Sequence, residues 1–276
     1  MPGAIDKVCV TPCGLPQGAP YGPKYHLDNF VKNLRELIAK RRRKMEITWL
    51  GHSGFRIVIE QAVLLVDPWL TGNPMFPQAQ RDQALEGATH VLLTHAHGDH
   101  AADAAAIAKE KGIAVCCIHE VSEWLNAQGA CETIGFGKGG TLALNGAKVT
   151  MVNATHSASI DFAGKGLLPA GSAAGFMISG EGHTIYVSGD TDIMADMAWM
   201  AELHQPDIGI LCCGGHYTMD MARAAWAARK YFNFRWVIPC HYKTFPLLAQ
   251  DTAELRSGLP AGVTLIEHEV MDPITW

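Results

Sequence analysis

The sequence is short of charge and of long apolar runs. Charged residues make up 18% of the chain and the net charge is −5. This argues against nucleic acid as a partner of the whole chain, because phosphate binding needs clustered positive charge. No apolar run approaches the ~20 residues that span a bilayer. Residues 1–23 lack the apolar block of a secretory signal. Both absences predict a cytoplasmic protein with no membrane partner. None of the eight cysteines stands in a C-x-x-C pair, which excludes zinc-finger spacing. Cys116, Cys117, Cys212 and Cys213 lie in apolar runs and read as reduced, buried small hydrophobes. No G-x-S-x-G elbow is present, so Ser53, Ser157 and Ser188 have no serine-hydrolase setting.

What the chain has is apolar bulk and histidine. Hydrophobic residues make up 48%, enough for a sizeable core. Residues 1–44 differ from the rest. They are rich in Pro and Gly, carry nine basic and three acidic residues, and end in Lys40-Arg41-Arg42-Arg43-Lys44. A short helix from Asp28 is expected there, with Phe30, Val31, Leu34, Leu37 and Ile38 on one side. The segment reads either as a tag for nucleic acid or membrane surface, or as a solvated tail or packing arm. Residues 45–276 form the second region. Strands are expected at 46–50, 55–59, 63–66, 90–94, 113–118, 142–144, 149–152, 175–179 and 184–187. Helices are expected at 101–111 and 122–128. The last third alternates: helix 193–204, strand 208–211, helix 219–231, strand 236–238, helix 247–256, strand 263–266. Strands first and alternation later predict an α/β fold of two layered sheets with helices outside. Residues 157–172, with Gly164, Gly166 and Gly171, read as a mobile flap.

Thr94-His95-Ala96-His97-Gly98-Asp99-His100 packs three imidazoles and a carboxylate into six positions directly after a buried strand. Such donors suit Zn²⁺ and similar divalent ions. In an extended segment His95 and His97 face one side. Asp99 and His100 sit where the chain turns into a helix and can serve a second ion. His156, Asp190 and His241 each follow a strand-like run and together fill out two coordination spheres. His52 and His216 also follow strands beside glycines, which allow close approach of a ligand. They read as substrate contacts or as structural histidines in tight turns. Tyr242 and Lys243, next to His241, are expected to meet an anionic substrate.

The H-x-H-x-D-H motif with later His, Asp and His resembles the metallo-β-lactamase superfamily. Residues 47–53, 67–74, 214–219 and 239–246 resemble, more narrowly, a little-characterised family of metal-dependent hydrolases distantly similar to ascorbate-6-phosphate lactonases. The resemblance covers residues 45–269. It implies an αββα sandwich, two mixed sheets with helices on the outer faces and a metal site at one edge. It implies two divalent ions, zinc with manganese or iron as alternatives. His95, His97 and His156 would hold one. Asp99, His100 and His241 would hold the other, Asp190 would bridge, and Asp67 would orient the histidine loop. The implied activity is attack of a metal-bridging hydroxide on a small ester, lactone, amide or phosphodiester, with Asp99 and His216 as catalytic groups. The alternatives are a non-haem iron oxidoreductase on the same fold and a phosphodiesterase or nuclease. Cys240 departs from the apolar residue expected there. The partner is a small-molecule substrate, and self-association is left open.

Overall fold

The computed structural model describes residues 44–161 and 166–276. The expected arm and its helix lie outside them, apart from Lys44.

Three almost wholly buried strands, β1 (Glu46–Gly51), β2 (Gly54–Ile59) and β3 (Ala62–Val66), form an antiparallel meander. Two-residue turns join them, with positive φ at His52 and Glu60, the backbone such hairpins demand. After the short α1 (Arg81–Ala84), β4 (His90–Leu92) pairs in parallel with β3. Then come α2 (Gly98–Ala101), α3 (Ala104–Lys111), β5 (Ala114–Ile118), α4 (His119–Ala127) and β6 (Thr133–Phe136). β5 and β6 extend the parallel part.

The second sheet begins with β7 (Thr141–Leu144) and β8 (Ala147–Asn153). A separate hairpin, β9 (Ser159–Asp161) and β10 (Leu167–Pro169), follows. β11 (Ala174–Gly180) and β12 (His183–Val187) continue the antiparallel half. Next are α5 (Met197–His204), β13 (Ile208–Cys212), α6 (Met221–Tyr231), β14 (Trp236–Cys240), α7 (Ala253–Gly258), β15 (Thr264–Leu265) and β16 (Pro273–Thr275). The sheet orders are β16-β1-β2-β3-β4-β5-β6 and β15-β14-β13-β12-β11-β8-β7. Both are mixed, and buried apolar side chains from the two form one core. This is the α/β sandwich expected.

Several expected elements differ. The helix expected at 101–111 is two pieces, because Asp103 Oδ2 accepts from Leu70 N and Thr71 N, both at 2.7 Å. The last long helix begins at Met221, where the Asp220 side chain caps Arg223 N. The helix expected at 247–256 shrinks to α7. Pro246 sits in a turn that Gln250 ties to Phe245 O and Leu248 O, and Asp251 accepts from Ala253 N. β6, β16 and the β9–β10 hairpin were not expected.

Candidate metal centre

Strand directions explain why the donors meet. β1 is antiparallel to β2, and β2 to β3, so β1, β3 and β4 run the same way. Their C-terminal ends deliver His52, Asp67 and His95 to one edge of the first sheet. By the same reasoning β8, β12, β13 and β14 run together. They deliver His156, Asp190, His216 and His241 to one edge of the second. Binding sites of α/β sheets characteristically lie beyond the carboxyl ends of strands.

Donor atoms gather there in three overlapping groups: His95, His97 and His156; His95, His100 and Asp190; and His52, Asp99, His100 and His241. Asp190 Oδ2 lies 3.1 Å from His241 Nε2, 3.3 Å from His100 Nε2 and 3.7 Å from His156 Nε2. His95 Nε2 is 2.9 Å from His97 Nδ1. His100 Nε2 and Asp190 Oδ1 are buried without a hydrogen-bond partner. An unpartnered buried polar atom costs about 1–3 kcal/mol, so these atoms fit a role as cation donors. The donor chemistry, imidazole and carboxylate, fits divalent transition ions.

The groups behind the donors fix which ring nitrogens are free. Asp67 is 1% exposed. Its Oδ1 accepts from Thr94 N at 2.8 Å, and its Oδ2 accepts from Thr94 Oγ1 at 2.7 Å and from His100 Nδ1 at 2.9 Å. A carboxylate only accepts, so His100 carries its proton on Nδ1 and turns Nε2 toward Asp190. Thr94 gives its one proton to Asp67 and can therefore only accept from His95 Nδ1, 3.0 Å away. That leaves His95 Nε2 as a lone pair. Burial drives His95 well below the ordinary histidine range. Burial also opposes charge on His100, but Asp190 and Asp67 on either side outweigh it and hold that ring well above the ordinary range. Burial would likewise raise Asp190, yet His100 and His241 hold it well below the usual carboxylate range. The pocket is thus built to stabilise positive charge among its carboxylates.

Of ten non-glycine residues with positive φ among the described residues, five belong to this edge: His52, Asp67, His216, His241 and Lys243. Strain of this kind persists where surrounding structure over-determines it. Gly214 provides part of the reason: a Cβ there would stand 1.8 Å from His241 O. Cys240 is buried and in none of the donor groups.

At the rim, His216 is exposed, its ring 4.5 Å from that of Tyr217. Lys243 is exposed and its Nζ lies 5.2 Å from the Tyr242 ring centroid. Tyr242 requires a correction. It is 1% exposed and stacks on Trp49 at 5.4 Å, so its ring is a packing element rather than a substrate contact. His52 is fully buried, with Nδ1 2.8 Å from Thr244 Oγ1 and Nε2 3.0 Å from Asp99 Oδ2. Both ring nitrogens are engaged, so His52 lies buried beside Asp99 rather than open at the rim. Burial pushes it down to about 4, against the pull of Asp99. Thr94 and Thr244 were not singled out in the sequence; for Thr94 the signal was its place directly before His95.

A model of the beta-lactamase superfamily domain matches residues 63–242. A UPF0173 metal-dependent hydrolase of Paracoccus denitrificans (strain Pd 1222) is 66% identical over 231 residues, 83% of this chain and 99% of that protein. Igni18, a novel metallo hydrolase from the hyperthermophilic archaeon Ignicoccus hospitalis KIN4/I, has a similar solved structure. Its TM-score is 0.74 at 30% identity, over 84% of this chain and 98% of that one. CmlA, a diiron β-hydroxylase from Streptomyces venezuelae, is similar with a TM-score of 0.66 at 14% identity, over 84% of this chain and 54% of that one. At that identity the likeness is one of fold.

Proposed function

Because the chain belongs to the beta-lactamase superfamily, we propose that it is a hydrolase of small esters, lactones, amides or phosphodiesters that works with two divalent metal ions, zinc first among them. The observation that carries this reading is Asp190 Oδ2, within 3.1–3.7 Å of imidazole nitrogens from three separate segments of the chain. His95, His97 and His156 would hold one ion. Asp99, His100 and His241 would hold the other, with Asp190 shared. Such ions, when bound, acidify a water near neutral pH and draw electron density from the scissile oxygen.

The chain's own groups supply the rest. Asp99 is 32% exposed at its side chain, whereas the Asp190 side chain is 2% exposed. Asp99 is therefore the carboxylate that faces arriving substrate and can orient the attacking water. His216 at the rim contacts the substrate. Lys243 attracts a substrate carrying negative charge. Asp67, through His100 and Thr94, keeps the donor loop in place. The neighbouring cysteines are no alternative nucleophiles: burial pushes the Cys212 thiol up to about 12 and Cys213 and Cys240 well above their ordinary value. A small-molecule substrate belongs to the same reading, and among the described residues no helix is long and apolar enough to cross a membrane.

The test is a screen of lactones, esters, amides and phosphodiesters with protein of defined metal content. Hydrolysis of one class, lost on chelation and restored by Zn²⁺ or Mn²⁺, is expected. Bound iron with oxygen uptake and no hydrolysis would favour the oxidoreductase instead.

A further inference from the structure

His52 is separated from the H-x-H-x-D-H segment by more than forty residues, yet it supplies the one hydrogen bond that the Asp99 carboxylate receives among the described residues. Asp67, by comparison, accepts three. The distances from Asp99 Oδ2 to His241 Nε2 and His100 Nε2, 3.9 and 4.0 Å, are too long for hydrogen bonds. Without His52, Asp99 would keep its place in the chain but lose that hydrogen bond.

The ring of His52 is itself held from several sides. Its Nδ1 meets Thr244 Oγ1, and its centroid is 4.0 Å from that of His241. Trp69 and Phe245 meet it edge-on at 5.5 and 5.7 Å. Its backbone carbonyl accepts from His241 N at 3.0 Å and Trp49 Nε1 at 2.9 Å. The protonation pattern follows from the partners. A carboxylate only accepts, so Nε2 carries the proton. In the neutral ring Nδ1 is then a lone pair, and Thr244 Oγ1, 2.8 Å away, turns its one proton to it in preference to Met75 Sδ and Tyr242 O, each 3.2 Å away. Since Nε2 bears a proton, it has no lone pair for an ion.

We propose that His52 is a positioning residue: the chain Thr244 → His52 → Asp99 aims the Asp99 carboxylate at the second cation. Outer hydrogen-bond partners of this kind are typically worth about 10–100-fold in metal affinity. The inference rests on the two-ion reading, and the two fail differently.

The experiment titrates the metal-stripped full chain with Zn²⁺ against a chromophoric chelator. Wild-type protein is measured first. If it binds fewer than two ions, the two-ion reading falls and this inference with it. If it binds two, His52→Leu, which keeps bulk but has no N–H, is expected to weaken one of them about 10–100-fold and leave the other within about twofold. His52→Gln, whose amide supplies an N–H, should recover most of that loss. Thr244→Val should weaken the same ion by a smaller factor. A His52→Leu protein that binds both ions like wild type, or loses both equally, overturns the proposal, as does a Gln variant no better than Leu. Should the Leu variant fail to fold, Thr244→Val decides: both affinities unchanged overturns the proposal.

Discussion

Asp67, His100, Asp190 and His241, at the floor of the centre, are at most 2% exposed, whereas His216, Tyr217 and Lys243 at its rim are open to solvent. Floor side chains hold one another: Asp67 binds two residues of the histidine loop, and Asp190 Oδ2 lies close to three imidazoles. Among the described residues the rim side chains have no such cross-links, yet His216 and Lys243 share the left-handed backbone of the floor residues Asp67 and His241. Backbone strain is therefore spent at both levels, but side-chain cross-linking only at the floor. A floor substitution should disturb ions and stability together. A rim substitution should disturb substrate alone.

The sharpest way to break this contrast is Asp190→Asn. It removes the shared negative charge and should cost metal content and at least about 10²-fold in turnover, measured by elemental analysis and by kcat on the first active substrate. A variant that kept both would dissolve the distinction. Asp67→Asn comes next, since its amide keeps one acceptor oxygen and must turn its NH2 toward a donor, either Thr94 N on one side or Thr94 Oγ1 and His100 Nδ1 on the other. Metal affinity should fall about 10–100-fold in a chelator competition. His216→Ala should keep the full metal content while kcat/KM falls about tenfold or more through lost substrate contact; loss of metal would move His216 to the floor. The smallest change is expected of a chain starting at Met45. The family's similarity spans 231 residues that cover 99% of a relative, so this shortened chain should fold and bind metal as the full chain does. Insolubility or loss of metal would make residues 1–44 part of the core.

The floor was legible in the sequence to the extent that it is local in the chain. Three histidines and Asp99 within six positions announce themselves, and His156, Asp190 and His241 stand out because each follows a strand-like run. Their convergence is a matter of strand direction, which periodicity does not carry. Asp67 was reached only through family resemblance, because its contact with His100 spans 33 positions. The pairing of His52 with Asp99 spans 47 positions and needs β1 and β4 to run the same way, so residue types alone left His52 between a substrate contact and a structural histidine in a tight turn. Tyr242 misled for a related reason: a tyrosine beside a donor histidine looks accessible until Trp49 is placed on its ring. In the fold, β6 was missed because Thr133–Phe136 is a half-exposed edge strand containing glycine. The β9–β10 hairpin was missed because Gly164, Gly166 and Gly171 made residues 157–172 read as a mobile flap.

Two cations should occupy this floor, and elemental analysis of the 276-residue chain, purified without chelator or added metal, counts them. Two divalent ions per chain, falling when Asp190 is replaced by Asn, is the result expected. One ion or none in the wild-type protein would contradict the account.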